Sequence, residues 1–175
     1  METSFQKCSA LLRHLRLSDA HDIYKNVKDK EVSKWTATIP YPYPKDGAVK
    51  FIRHAQYHAD KDKDLILGIE YDGSIIGVIS LMHINKTHKR AELGYWLGKK
   101  FWGKGIMTKS VRQILEMAFQ KKKLHRIYAK VFQENLQSQK VLERCGFKLE
   151  GVHKDSVFKH GKWRDIMTYA KINHY

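Results

Sequence analysis

The distribution of apolar and polar residues along the chain predicts a series of strands. Two apolar runs, 65–71 and 74–84, are joined by Asp72-Gly73. Because this dipeptide is among the strongest signals of a tight hairpin, we expect the two runs to pair as antiparallel strands. Further strands are predicted at 9–17, 90–98, 124–132, 147–159 and 162–172, the last two as a hairpin around His160-Gly161.

Apolar residues at helical spacing predict four helices. The first follows Ser18 and Asp19, whose side-chain oxygens can accept hydrogen bonds from the free N–H groups of a first helical turn. The second spans residues 46–60, the third starts after Gly105, and the fourth spans residues 135–145.

The segment 31–45, between the first two helices, shows no period. Its run Ile39-Pro40-Tyr41-Pro42-Tyr43-Pro44 favours an extended chain, because each proline disfavours a helical conformation in the residue before it. We therefore expect a stiff loop. Trp35, Tyr41 and Tyr43 are candidates to wall a substrate groove, with capping of the core as the equal alternative.

The predicted elements follow the order β-α-α-β-β-β-α-β-α-β-β. This order predicts an α/β (α+β) protein with a mixed, mostly antiparallel sheet of about seven strands and four helices. With 175 residues, we expect a single domain over 1–175.

Composition points to a soluble protein. Hydrophobic residues make up 42% and charged residues 29% of the chain, which suits a globular domain with a charged surface. No apolar run approaches the ~18 residues of a membrane span. The first residues lack the apolar core of a signal peptide, so we expect a cytoplasmic protein with no membrane partner.

The net charge of +15 favours acidic partners, such as a polyanionic cofactor, acidic peptides or ribosomal RNA. Charge alone does not choose among them, and a solvated basic surface without a dedicated nucleic-acid site is our expectation. Cys8 and Cys145 have no His or Cys at metal-ligand spacing, so we expect two free thiols. We assign no metal site.

Two glycines mark a candidate anion-binding loop. Gly103 and Gly105 follow a predicted strand and precede a helix. Lacking a Cβ, they permit positive φ and a close approach of a ligand to the N–H groups at the helix start. Lys99, Lys100, Lys104 and Lys109 add positive charge. The alternative is an ordinary strand-to-helix turn.

This loop resembles the acyl-CoA loop of GNAT N-acetyltransferases, Gln/Arg-x-x-Gly-x-Gly/Ala, with Lys100 where Gln or Arg is usual. The run 135–147 resembles a second signature of the family, Asn-x-x-Ser-x-x-Val-x-Glu-x-x-Gly-Phe. The likeness is to the branch of the ribosomal-protein N-terminal acetyltransferases (RimJ/RimL-like). It implies the GNAT fold, with acetyl-CoA as cofactor and coenzyme A as product.

The resemblance also implies a set of cofactor-binding residues. In relatives the amide of the Asn that matches Asn135 bonds the pantetheine arm, and the alternative for Asn135 is a helix cap, a role it could fill as well. The implied cofactor-binding residues are Tyr95, Trp96, Leu97, Lys100, Phe101, Trp102, Gly103, Lys104, Gly105, Ile106, Met107, Thr108, Asn135 and Ser138.

Two residues are candidates for catalysis. Many acetyltransferases have a tyrosine where this chain has Leu142, which has no proton to give, so we expect Ser138, one turn earlier, to act on the leaving thiolate. The alternative is a serine that bonds back to a helix carbonyl. Glu92 is the candidate base, acting through water, and its alternative is a surface residue or an ion pair with Arg90 or Arg126.

We therefore expect an enzyme that transfers acetyl from acetyl-CoA to a primary amine by direct transfer, with backbone N–H groups near Leu97 stabilising the oxyanion. Cys145 is poorly placed as a nucleophile. A protein N-terminal amine of the ribosomal-protein type is the expected acceptor. The alternatives are a small amine such as a polyamine and a catalytically idle acyl-CoA-binding or ribosome-associated module. The protein could be a monomer or a homodimer.

Overall fold

The computed structural model describes residues 10–174. These residues form a seven-stranded sheet with the strand order β1-β2-β3-β4-β5-β7-β6. Neighbouring strands are antiparallel except β4 and β5, which are parallel, so the predicted mixed sheet is confirmed. The strands are β1 (Leu11–His14), β2 (Leu65–Tyr71), β3 (Ser74–Asn85), β4 (Arg90–Leu97), β5 (Arg126–Phe132), β6 (Lys148–Lys159) and β7 (Lys162–Ile172).

Five helices accompany the sheet in the described part of the chain. They are α1 (Ala20–Val27), α2 (Lys30–Lys34), α3 (Gly47–Asp60), α4 (Ile106–Glu116) and α5 (Leu136–Arg144). Short 3-10 turns at Leu17–Asp19 and Lys99–Phe101 and a π-helical turn at Met117–Lys121 complete the elements. Among residues 10–174, none of the helices combines the length and apolar character needed to cross a membrane.

Helices cover both faces of the sheet. One buried cluster joins alternate strand residues such as Leu67 and Leu93 to Val111 and Ile114 of α4 and Leu142 of α5. A second cluster, on the other face, joins Ile66 and Val78 to α1, α2 and α3. Since successive residues of a strand point to opposite faces, β2 and β3 each supply both clusters.

The parallel pair β4 and β5 opens partway along its length. The two strands are paired from Arg90↔Arg126 to Leu93↔Ala129. Beyond that point β4 stays paired with β3 and β5 stays paired with β7, but β4 and β5 are not paired with each other. The sheet therefore splits at residues 94–97, and backbone groups of β4 face the gap.

Helix α2 was not predicted, because it lies in the segment interpreted as a loop. Its five residues are too few to show a helical period. The side chain of Asp29 caps it, with Oδ1 accepting a hydrogen bond from the Glu31 N–H at 2.9 Å. The rest of the segment, 35–45, contains no further helix or strand.

The predicted role of Asp19 as a cap of α1 is wrong. Asp19 precedes the helix, but its carboxylate accepts two hydrogen bonds from the Arg13 guanidinium, at 2.8 and 2.9 Å, and one from the Arg16 N–H at 2.7 Å. A two-pronged charged donor competes better for the carboxylate than a neutral helix N–H. These contacts, led by Arg13, lower the pKa of Asp19.

The first strand is shorter than predicted. It starts at Leu11, and residue 9 and Cys8 of the sequence-based predictions lie outside the described residues.

Candidate active site

The glycine loop has the conformation that the sequence predicts. Gly103 and Gly105 have φ of 75° and 74°, and a Cβ built on either residue would meet no atom within 4 Å. Gly105 is the residue before α4. Within the described chain, no side chain caps this helix and its first turn carries no acidic residue. Its free N–H groups therefore suit an anion such as a phosphate.

A cavity of about 260 Å³ lies beside this loop, and we call it the cofactor cavity. Most of the residues predicted to bind the cofactor line it, but Lys100 and Lys104 do not. The Lys104 ammonium lies instead 5.5 Å from the centre of the Phe101 ring. The predicted residues that line the cavity are Tyr95, Trp96, Leu97, Phe101, Trp102, Gly103, Gly105, Ile106, Met107, Thr108, Asn135 and Ser138.

Two cations of α5 line the cofactor cavity and were missed in the sequence. Lys140 and Arg144 are four residues apart, so they lie on the same face of the helix. That spacing, inside the signature run 135–147, was the signal that could have identified them. They supply the positive charge that Lys100 and Lys104 do not bring to the lining.

Asn135 caps helix α5, as its alternative interpretation proposed. Its Oδ1 accepts a hydrogen bond from the Ser138 N–H at 3.1 Å, and the residue is 8% exposed. Its amide nitrogen donates to no group of the described chain. The cap uses only the oxygen of the Asn135 amide, so the amide nitrogen can donate to a ligand in the cofactor cavity.

Ser138 and Tyr95 meet at the edge of the cofactor cavity. The Tyr95 hydroxyl donates to the backbone carbonyl oxygen of Ser138 at 3.3 Å. Burial raises the pKa of Tyr95, and the nearby Ser138 lowers it by a smaller amount. The Ser138 hydroxyl donates to no backbone carbonyl among residues 10–174, contrary to its alternative interpretation. Tyr95 and Ser138 therefore both bring a hydroxyl group to the cofactor cavity, whereas the sequence predicted a catalytic hydroxyl at Ser138 alone.

Glu92 is ion-paired, but with neither predicted partner. Its Oε2 lies 3.4 Å from Nζ of Lys130, and its side chain is 15% exposed. Glu92 is opposite Tyr128 in the sheet, so Lys130, two residues further along β5, shares its face. Arg126 pairs instead with Glu150. Burial, and then the charge of Glu92, raises the pKa of Tyr128.

Glu92 lines a second cavity, of about 770 Å³, which we call the acceptor cavity. Aromatic side chains from separate elements wall it, among them Trp35, Tyr43, Trp96 and Phe132. Tyr41 was also predicted to wall the substrate groove, but it is absent from the lining of the acceptor cavity and is 49% exposed. Glu92 is the one carboxylate among the lining residues, and Lys130 and His153 are the basic ones.

The two cavities meet where β4 and β5 separate. Trp35, Thr36, Tyr95 and Trp96 line both of them. The gap in the sheet therefore connects the face of α4 and α5 to the face of α1 and α3. Glu92 borders the acceptor cavity and Ser138 borders the cofactor cavity, so the two candidate catalytic residues line different cavities that meet at this gap.

Two cations of the β6–β7 hairpin hold the loop that both cavities share. Lys159 donates to the carbonyl oxygens of Thr36, Ala37 and Ile39, the last at 2.7 Å. Arg164, 5% exposed, donates to the carbonyl oxygen of Lys34 at 2.9 Å. Sequence reasoning missed both residues, because no local pattern links positions more than a hundred residues apart.

Cys145 has the environment of a structural thiol. It is buried, and its Sγ lies 3.6 Å from the Thr108 carbonyl oxygen. Burial raises the pKa of the thiol, which disfavours the nucleophilic thiolate.

Comparison with known proteins agrees with this fold. A family model described as an acetyltransferase (GNAT) domain matches residues 10–148. YjcK of Bacillus subtilis (strain 168), named a probable N-acetyltransferase, is 40% identical over 134 residues, which are 75% of this chain and 74% of YjcK. The crystal structure of the Microcin C7 self-immunity acetyltransferase MccE, in complex with acetyl-CoA and AMP, is 28% identical with a TM-score of 0.84, over 98% of this chain and 100% of that one.

Two further relatives have names that specify different acceptors. The ribosomal-protein-serine acetyltransferase of Escherichia coli (strain K12) is 36% identical over 101 residues, 58% of this chain and 56% of that protein. The spermidine N(1)-acetyltransferase of the same strain is 24% identical over 166 residues, 95% of this chain and 87% of that protein.

Proposed function

This chain belongs to the acetyltransferase (GNAT) family, and we propose that the acetyl acceptor of this acetyl-CoA-dependent N-acetyltransferase is the α-amine of a protein N-terminus, of the ribosomal-protein type. The lining of the acceptor cavity supports this choice of acceptor. The acceptor cavity offers a single carboxylate, Glu92, inside mostly apolar and aromatic walls. That arrangement suits one amine attached to a peptide.

A polyamine is the second candidate, and the likeness to spermidine N(1)-acetyltransferase favours it. A polyamine carries several ammonium groups, each of which needs an acidic or polar partner when it leaves water. Glu92 is itself paired with Lys130, and the net charge of the chain is +15. Both features oppose a polycation.

We assign acetyl-CoA to the cofactor cavity. The N–H groups at the start of α4 would bind its phosphates, and the amide nitrogen of Asn135 would donate to the pantetheine arm. The open space beside Gly103 and Gly105 supports this fit, because a Cβ at either position would enter it.

In the proposed reaction, Glu92 removes a proton from the ammonium group through water, which frees the nitrogen lone pair for attack on the thioester carbonyl. Backbone N–H groups of β4 that face the gap stabilise the oxyanion. When the carbon–sulfur bond breaks, the Ser138 hydroxyl gives its proton to the thiolate, and Tyr95 is the second candidate for that role. The first proton, taken from the ammonium group, passes from Glu92 and its water to solvent. The nitrogen loses its second proton as the tetrahedral intermediate collapses, and through solvent this proton replaces the one that Ser138 gave to the thiolate.

A mass-spectrometric acetylation screen tests the acceptor. The purified chain is given acetyl-CoA with peptides that have a free N-terminus, with the same peptides blocked at the N-terminus, and with spermidine. We expect acetylation of the free peptides and none of the blocked ones, even where they contain lysine. Efficient turnover of spermidine alone would overturn the choice, and no turnover of any amine would favour the idle module.

A further inference from the structure

Two histidines and an aspartate form a cluster away from both cavities. His54 and His58 are one turn apart on α3, and Asp64 immediately precedes β2. His54 is exposed, and the side chains of His58 and Asp64 are 25% and 13% exposed. None of the three lines the cofactor cavity or the acceptor cavity.

Their possible ligand atoms converge. One nitrogen of each imidazole and one carboxylate oxygen all lie within 4.8 Å of one another. The two imidazole rings are 4.0 Å apart between centres. Histidines four residues apart on a helix present their rings on the same side, which is the spacing of helical metal sites.

The contact between His58 and Asp64 lacks the geometry of a hydrogen bond. Nδ1 of His58 lies 2.9 Å from Oδ2 of Asp64, within hydrogen-bond distance. Nevertheless, this buried nitrogen has no hydrogen-bond partner in the described chain, because an N–H on the ring would not point at the oxygen. A cation between the two atoms would provide what both lack, a lone-pair acceptor for the nitrogen and a positive partner for the oxygen.

The carboxylate is held in place from its other side. Oδ1 of Asp64 accepts a hydrogen bond from the His83 N–H at 2.8 Å. A backbone donor of this kind fixes the direction of a metal-binding carboxylate and leaves the second oxygen for the ion.

We propose that His54, His58 and Asp64 bind a divalent transition-metal ion, with Zn²⁺ as the best match. Two imidazole nitrogens and one carboxylate oxygen are typical zinc ligands, and water would complete a tetrahedral site. The ion would tie the last turns of α3 to the start of β2 across the intervening turn. Its role is structural, and it is independent of acetyl transfer.

Calorimetric titration of the metal-stripped, tag-free chain with zinc chloride tests the site. We expect one ion per chain with a dissociation constant below about 10 μM. His54→Ala and His58→Ala should each weaken binding by about tenfold or more. His21→Ala removes an exposed imidazole from α1 and is the matched control, which should bind zinc as the unmodified chain does.

Thermal unfolding gives a second readout. Because an ion that binds the folded chain stabilises it, zinc should raise the midpoint of the unmodified chain and of His21→Ala, but not that of His54→Ala. His54 is exposed, so this variant keeps the core intact and remains interpretable if His58→Ala folds poorly. A dissociation constant above about 1 mM, or equal zinc binding by His54→Ala and the control, would overturn the proposal.

Discussion

The Tyr95 hydroxyl donates a hydrogen bond to the backbone carbonyl oxygen of Ser138 over 3.3 Å. This contact joins β4 to the first turn of α5 at the border of the cofactor cavity. Tyr95 and Ser138 thus both bring a hydroxyl group to this cavity, and the sequence predicted a catalytic role for that of Ser138 only. Substitutions at Ser138 and Tyr95 separate the roles of the two hydroxyl groups.

Ser138→Ala should lower kcat by ~10², in the usual range for lost acid catalysis, with little change in acetyl-CoA affinity. Steady-state kinetics and calorimetry measure the two quantities. Tyr95→Phe loses the hydrogen bond to Ser138 but keeps the ring, so it should reduce kcat less. If Tyr95→Phe shows the larger loss and Ser138→Ala turns over normally, the proton donor is Tyr95.

Gly105→Val should weaken acetyl-CoA binding by at least ~10-fold, or about 1.4 kcal/mol, because its side chain enters the open space at the start of α4. Calorimetry measures the affinity. Gly73→Val is the matched control, since Gly73 also has a φ of 74° and open space around its Cβ position, but lies in the β2–β3 turn. Equal affinity in both variants would argue against the loop as the phosphate site.

Glu92→Gln should depress the plateau that kcat/KM reaches at high pH, because the amide cannot accept the proton of the amine. Affinity for acetyl-CoA should stay unchanged, since Glu92 borders the acceptor cavity alone. A pH series of initial rates with both proteins measures the effect. Lys130→Met serves as the companion variant, as it removes the partner of Glu92 and leaves the carboxylate. A Glu92→Gln profile that overlays the unmodified one would remove Glu92 from the mechanism.

Lys159→Met should raise the KM for the acceptor and weaken acetyl-CoA binding less, because Ala37 and Ile39 line the acceptor cavity alone whereas Thr36 lines both cavities. The expected cause is release of the Thr36–Ile39 carbonyls, which Lys159 holds beside the acceptor cavity. Burial lowers the pKa of Lys159, so its ammonium depends on those carbonyl oxygens for stabilisation. Lys162→Met, on the exposed part of the same hairpin, is the control. An unchanged KM in Lys159→Met would show that the loop keeps its position without this anchor.

Asp19→Asn should destabilise the fold at neutral pH by about 1–3 kcal/mol, because Arg13 loses a two-pronged charged acceptor. The pKa of Asp19 is lower in the folded chain than in the unfolded chain. The stabilisation is therefore present above the unfolded pKa and is lost as the pH falls through the folded pKa. Urea unfolding at several pH values measures it, and the difference between variant and unmodified chain should shrink in acid. A difference that stays constant down to low pH would contradict this account.

Local patterns were enough to predict most strands and the longer helices. The Asp72-Gly73 turn defined the β2–β3 hairpin, and Gly103 and Gly105 indicated a turn with positive φ, because each feature depends on residues close in sequence. Helix α2 escaped because five residues show no period. Asp19 was misassigned because its partner Arg13 lies outside the helix that it precedes.

The candidate site was predicted only in part, for the same reason. The two family signatures supplied Gly105, Asn135 and Ser138, and all three line the cofactor cavity. The pairing of Glu92 with Lys130 depends on the register between two strands separated by a helix. The proposed zinc ligand Asp64 is likewise brought to His54 and His58 by the turn that follows α3.

The sequence by itself determined the order of the elements other than α2, the positive φ of the glycine turn before α4 and the family resemblance, since each depends on neighbouring residues. Only the tertiary structure decided that β4 and β5 separate after Leu93, that the two cavities meet there, and that Lys159 and Arg164 hold the loop between them. Contacts between residues far apart in sequence form when the strands pair and the helices cover the faces of the sheet. Their partners are chosen by register and packing, which no local pattern encodes.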